Sequence, residues 1–399
     1  MTNYKLFNIN PKDLKVLTAD EKKIIPILAE ACKKLGSIYS LQKNDKFPGA
    51  NFYPHNVTKE EIEKAAQGNP KILSPYTVIQ QNKEGELTAI DYHQKYATYL
   101  EPIAQLLNKA SELSKNKTFK NYLKTLATSL PDGNYDKADI AWLAVKGSNI
   151  DITLGAFEKD LDKLLGVKKA YQAHVGIIDR DKSQKAKTIK DILYLNPGPR
   201  PHHIPQAKVQ VQVQKLIILS GFGADAFFVR EHLPTNYDIR EKYGSKIIGY
   251  LTSIDYKFEK LIFPIYNAIF ENKFKERYSK ELLKTGNYYN VLFFSLARQL
   301  HQYRDAAYRL KELLPIFDLA NGVVSGIQHS KHLILKGVLD QKELEAIMIT
   351  QICWIFSEWI INKQATIREP YLKGDALALN FLIESGALLL CFLLSVWPG

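Results

Sequence analysis

Cysteine is scarce in this chain of 399 residues, and the three present, Cys32, Cys353 and Cys391, lie far apart with no C-x-x-C pair. That spacing excludes a disulfide scaffold and a zinc ribbon and points to a reducing, cytoplasmic setting. Long apolar runs are also missing. The longest, Ala387 to Trp397, is roughly half of the ~20 residues a membrane helix needs. The opening Met1-Thr2-Asn3-Tyr4-Lys5 has no apolar core, so no secretory signal is expected. There is no G-x-S-x-G elbow, no Walker loop and no His-Glu-x-x-His. Internal repeats and low-complexity tracts are absent too.

What remains is an ordinary globular composition, 46% hydrophobic and 24% charged, in a chain long enough for two lobes. Lys and Arg number 54 against 42 Asp and Glu, a formal charge of +12. A basic balance raises nucleic acid as a partner. Here the excess is mostly lysine and is spread from end to end. Its densest patch, Arg180 to Lys190, holds Lys182, Lys185 and Lys187 beside Asp181 and Asp191. A solvated surface explains this better, so nucleic acid is disfavoured.

Along the first 130 residues the pattern is helical. Thr18-Ala19-Asp20-Glu21 and Thr58-Lys59-Glu60-Glu61 have capping-box spacing. Gly36 is expected to end the first helix, and Pro26 to kink it. Tyr76–Ile79 and Leu87–Ile90 flank a polar turn and predict a hairpin. The stretch Ile140 to Leu154 alternates around Gly147 and predicts strand. Four prolines between Pro197 and Pro205 forbid a regular element there. Val209 to Leu219 then gives the clearest strand pattern. Beyond Ile254 the apolar spacing predicts helices over 254–274, 288–312, 315–336, 340–363 and 372–386.

Spacing alone yields little chemistry. Gly221-Phe222-Gly223-Ala224-Asp225-Ala226 fits G-x-G-x-x-A, but Pro234 follows too soon for a βαβ unit, so a plain glycine turn is expected. His329 and His332 could share a metal at helical spacing but lack an obvious third ligand; His202 and His203 are adjacent and point apart. His301 and Asp305 lie four apart and read as a helix-stabilising pair.

Several segments, in one order from about residue 18 to 386, resemble the dipeptidyl-peptidase III family, in particular its short bacterial members. They include Asn51-Phe52-Tyr53-Pro54, Ser74-Pro75-Tyr76-Thr77-Val78, Asp139-Ile140-Ala141-Trp142-Leu143, Ile150 to Gly155, Leu219 to Ser245, Lys336 to Leu339, and Gly374 to Gly386. The resemblance implies a two-lobed zinc exopeptidase with two His ligands from one helix, a Glu from the next, and a neighbouring Glu that activates water. Those motifs fall on residues of another kind. The two His positions are Phe294 and Arg298, the catalytic Glu position is Ser295, and the ligand Glu position is Leu319, with Asp318 before it. A substrate-facing Tyr position is Asp160, and a transition-state His position is Tyr371. Pairing of Arg298 with Asp318 in place of the metal is expected, since a buried unpaired cation is costly.

The reading is therefore an α+β, mainly helical, two-lobed fold around a cleft. A mixed lobe spans 1–178 and continues over 209–250, a Pro-rich crossover spans 179–208, a helical lobe spans 251–386, and an apolar tail spans 387–399. The expected function is that of an inactive pseudoenzyme with no cofactor, binding a peptide or protein through Val211 and Val213 on the strand, Arg298 and Tyr371. Two alternatives stay open: an active zinc-dependent dipeptidyl peptidase with relocated ligands, and a scaffold or nucleic-acid-binding protein using its basic surface.

Overall fold

The computed structural model describes residues 3–195, 208–300, 309–310, 313–362 and 369–386. Local signals set its first elements. The Thr18 hydroxyl accepts from the Glu21 N–H, and the Thr18 N–H donates to the Glu21 carboxylate. Two N–H groups that a helix start leaves unpaired are thereby satisfied, and helix α1 (Ala19–Gln42) begins there. Thr58 and Glu61 do the same for α2 (Lys59–Gly68). Gly36 does not end α1, contrary to expectation. A Cβ there would stand 2.9 Å from the Asn3 carbonyl oxygen, so this glycine serves a close approach of chain segments rather than a stop.

The N-terminal strand β1 (Tyr4–Leu6) precedes a hairpin of β2 (Thr77–Gln81) and β3 (Leu87–Asp91), antiparallel with Val78 opposite Ile90. Helices α3 (Ala97–Leu113), α4 (Lys117–Asp132) and α5 (Tyr135–Leu143) follow. The strand expected from Ile140 is thus displaced. Its first residues finish α5, Gly147 turns the chain at a φ of 72°, and β4 runs Ile150–Glu158. The Trp142 indole donates to Asp151 at 2.9 Å, which pins this helix end to the strand it leads into. Period-two alternation over so few residues does not distinguish a strand from a short buried helix.

β4 pairs with β5 (Ala170–Ile178), and β5 with β6 (Val209–Gly221), both antiparallel. The sheet is completed by β7 (Arg230–Leu233) and β8 (Ser245–Tyr250) in the order β4-β5-β6-β8-β7, with β1 on β6. The candidate dinucleotide loop is a glycine turn at the end of β6. Gly221 has a φ of 66°, and a Cβ there would meet the Tyr171 carbonyl oxygen at 2.3 Å.

The chain folds as two compact units that alternate in sequence. One comprises residues 1–178, 214–228 and 233–245; the other comprises 179–213, 229–232 and 246 onward. The sequence-based division needs correcting accordingly. Residues 180–195 form helix α6 (Arg180–Leu195) and belong with the helical unit, as do 209–213, 229–232 and 246–250. The tail 387–399 and residues 196–207, with all four prolines of the crossover, lie outside the described residues.

In the helical unit, α7 (Lys280–Leu300), α8 (Leu314–Leu335), α9 (Gln341–Asn362) and α10 (Glu369–Glu384) carry the architecture. Tyr289, Phe293 and Leu296 of α7 are buried in its largest core cluster with Leu333 of α8 and Ile347 of α9. Small residues let the helices approach closely. A Cβ on Gly286 would lie 2.5 Å from the Ala346 backbone, so α7 and α9 cross nearly backbone to backbone. Together the pattern is an α+β, mainly helical architecture.

Candidate functional site

The second half of α7 and the start of α8 bring together the positions on which the motifs of the dipeptidyl-peptidase III family's metal site fall. Phe294 and Arg298, one helical turn apart, lie on the same face of α7. Phe294 is 6% exposed and packs with Leu319, Ala320 and Val323 of α8 and Ala378 of α10. The Arg298 Nε donates to an Asp318 carboxylate oxygen at 2.7 Å, and its Nη2 donates to the same oxygen. The expected Arg298–Asp318 pair is therefore formed.

A second cation completes this cluster. The Arg230 guanidinium, brought in by β7, sits 3.8 Å from the centroid of the Phe294 ring, while that of Arg298 lies 5.6 Å away. A ring quadrupole attracts such a cation, and a guanidinium stacks well on an aromatic face. The space between α7 and α8 is filled up to Gly322. A Cβ there would meet Arg298 Cγ and Phe294 Cε2, both at 2.9 Å. Gly374 of α10 is equally tight against Leu319, whose Cβ would be 2.9 Å away. Two buried acids interact electrostatically here. Asp375 and Glu358 are 5% and 7% exposed, and burial, reinforced by Glu358 and partly offset by Arg230, pushes the Asp375 carboxyl up to about 8.

The architecture matches solved structures. That of dipeptidyl-peptidase III from Caldithrix abyssi superposes with a TM-score of 0.80, at 23% identity, over 95% of this chain and 82% of that one. Dipeptidyl-peptidase III from Corallococcus sp. strain EGB gives 0.79, at 19% identity, over 95% and 81%. The fold is that of dipeptidyl-peptidase III. Among curated proteins, Nudix hydrolase 3 of Arabidopsis thaliana is 23% identical over 410 residues, which is 93% of this chain and 52% of that protein. The chain thus spans about half the length of that relative. No family model matches the sequence.

On the dipeptidyl-peptidase III fold, the residues at the expected ligand positions do not fit a zinc ion. Zinc takes Cys, His, Asp or Glu donors. Phe294 and Leu319 have no donor atom, and Arg298 is a permanent cation. The acid retained beside them, Asp318, already faces a guanidinium. Ser295 is equally unsuited to the catalytic Glu's role: it is 9% exposed, and its hydroxyl donates to the Val291 carbonyl at 2.9 Å within the same helix. His329 and His332 lie on α8, half-buried. Among the described residues no three His, Cys, Asp or Glu gather as a metal site. His202, His203, His301 and Asp305 lie outside the described residues.

The other expected site residues fare unevenly. Asp160 is exposed in a turn after β4, in the mixed unit. Tyr371 lies on α10, and its side chain is outside the described residues. The strand platform needs correction. Val213 is 1% exposed, its N–H donates to Ser183 Oγ at 2.9 Å, and its carbonyl accepts from the Asp179 N–H at 2.9 Å. Val211 is partly buried against the same core, and the Val209 carbonyl accepts from Lys190 at 3.0 Å. Helix α6 and the residue before it occupy the backbone groups that an added strand would need at Val209 and Val213. Arg230 and the Asp375–Glu358 pair were not foreseen. They come from a strand and two helices remote in sequence, and only a buried-charge signal after folding reveals them.

Proposed function

We propose that this chain is a catalytically inactive protein of dipeptidyl-peptidase III fold that binds a peptide or protein through its helical unit. One observation carries the reading: the Arg298 guanidinium is held on Asp318 beside Phe294 and Leu319, where the resemblance puts a zinc shell. A metallopeptidase needs a Lewis acid and an acid–base group beside it. The residues at those positions supply neither. What they keep is a guanidinium 39% exposed on a rigid helix, suited to a carboxylate of a peptide. Among the described residues no helix is long and apolar enough to cross a membrane. Cys32 and Cys353 are buried free thiols, which supports a cytoplasmic setting.

The test is direct. Purified protein is loaded with excess zinc, desalted, and its metal content measured by mass spectrometry, alongside release of dipeptides from a chromogenic substrate. The expected result is negligible retained zinc and no chelator-sensitive hydrolysis. About one zinc per chain together with such hydrolysis would overturn the reading. For binding, a peptide library is screened by fluorescence anisotropy against the protein and Arg298→Gln. A hit that the variant binds as well as the parent would remove Arg298 from the binding surface.

A further inference from the structure

The lysine-rich stretch that composition alone assigns to a solvated surface divides in two once folded. Along α6, Lys187 and Lys190 both reach Asp191, each at 2.9 Å, and share its carboxylate. Lys182 and Lys185, three residues apart, instead converge on a cavity of about 500 Å³ closed by α7 and the helix Leu251–Lys257. The Lys182 ammonium lies 4.9 Å from the Tyr288 ring centroid, and that of Lys185 lies 5.3 Å from the Tyr289 ring. Lys185 also hydrogen-bonds Tyr289, the main cause holding its ammonium above its ordinary range despite burial, with Glu343 adding attraction. Among the described residues Lys182 makes no ion pair.

Like charges three residues apart on a helix repel, so their retention in one concavity calls for an opposite charge. The cavity's own carboxylates do not fully supply it. Asp255 is taken by Lys284 at 3.0 Å, which leaves Glu281 as the lining carboxylate for the two lysines, with Glu343 acting on Lys185 from outside the lining. Each ammonium has three donors, and an aromatic face occupies only one side of it. The volume lies within the range of small-molecule sites, roughly 300–1,000 Å³, and exceeds what an inorganic ion fills. Leu251 and the two tyrosines offer the apolar wall that an organic body would touch.

We infer that this cavity of the helical unit binds a small organic oxyanion, with Lys182 and Lys185 on its charged group. A phosphate monoester and a carboxylate share that chemistry. The site is separate from the Arg298 cluster and does not depend on the proposed peptide binding.

The full-length protein is titrated calorimetrically at low ionic strength with glycerol 3-phosphate, with succinate and with neutral glycerol. Either anion should bind while glycerol does not, and the stronger of the two identifies the headgroup. Lys182→Gln/Lys185→Gln should weaken that binding at least about tenfold, and Lys182→Gln alone about threefold, with circular dichroism unchanged. Lys187→Gln, whose ammonium is already on Asp191, should leave it intact. Absence of heat with both anions, or equal weakening by Lys187→Gln, would overturn the site. The single variant reads the same question if the double variant fails to fold.

Discussion

The Arg298–Asp318 pair can be weighed by a double-mutant cycle of Arg298→Met, Asp318→Asn and the two combined. At 4 Å two unit charges attract by about 4 kcal/mol at an effective dielectric of 20, and by about 1 kcal/mol in water. The real pair lies nearer the second limit. The Arg298 side chain is 39% exposed and that of Asp318 18%, so solvent screens most of the attraction. Exposed pairs measured by such cycles couple by about 0.2–1 kcal/mol. Two N–H donors on one carboxylate oxygen, on rigid helices, place this pair at the top of that range, about 1 kcal/mol. Asp318→Asn alone leaves a guanidinium that can still reach water and should cost about 1 kcal/mol. Arg298→Met strands the less exposed partner and should cost about 1–2 kcal/mol. The assay is urea unfolding at pH 7 and low salt, compared at equal m-values. Raising the salt to 1 M should shrink the coupling, since the Debye length falls to about 3 Å. A coupling under about 0.3 kcal/mol would refute the idea that the pair has taken over a metal's structural role, and would leave Arg298 as a surface cation.

Three further outcomes follow from the same unit and its neighbour. The Asp375 carboxyl is pushed up to about 8 by burial, with Glu358 adding and Arg230 offsetting. A folded pKa above the unfolded one means that the folded state keeps a proton the unfolded chain has lost. Stability should therefore fall as pH rises from about 4 towards 8 and level off beyond, by at most about 1.4 kcal/mol per pH unit. Asp375→Asn should flatten that slope, and an unchanged pH profile between 5 and 8 would sink the assignment. Gly322→Ala inserts a methyl 2.9 Å from both Arg298 Cγ and Phe294 Cε2 and should cost about 1–3 kcal/mol of stability by urea titration; a neutral result would show that the two helices have slack there. Burial raises the thiols of Cys32 and Cys353 far above the usual range, so alkylation of native protein at pH 8 should leave both unmodified in a peptide map, and labelling of either would contradict their burial.

Features decided within a few residues were legible in the sequence. The capping boxes at Thr18 and Thr58 and the β2–β3 hairpin each depend on local spacing, and each stands where that spacing puts it. Gly36 marks where such reading stops. As a residue it signals a helix end, yet the Asn3 backbone pressing on it is unknowable from its neighbours. The same holds for the division into units, whose breaks fall inside β6, β7 and β8, where no local signal interrupts the strand. At the candidate site, the meaning of Phe294, Arg298 and Leu319 is readable only through resemblance, which says what the family carries at those positions. What surrounds those positions required coordinates: Arg230 over the Phe294 ring from a strand over sixty residues earlier, and the buried Asp375, whose carboxyl feels both Arg230 and Glu358. Under the proposed reading, positions freed from a metal by random drift would leave unmatched polar groups to be filled by water. Here an aromatic ring, a guanidinium on each of two elements, and a glycine with no room for a methyl fit one another closely. That mutual fit is an argument for a retained structural purpose, because any one of these residues without the others would leave a clash, a cavity or a poorly matched cation.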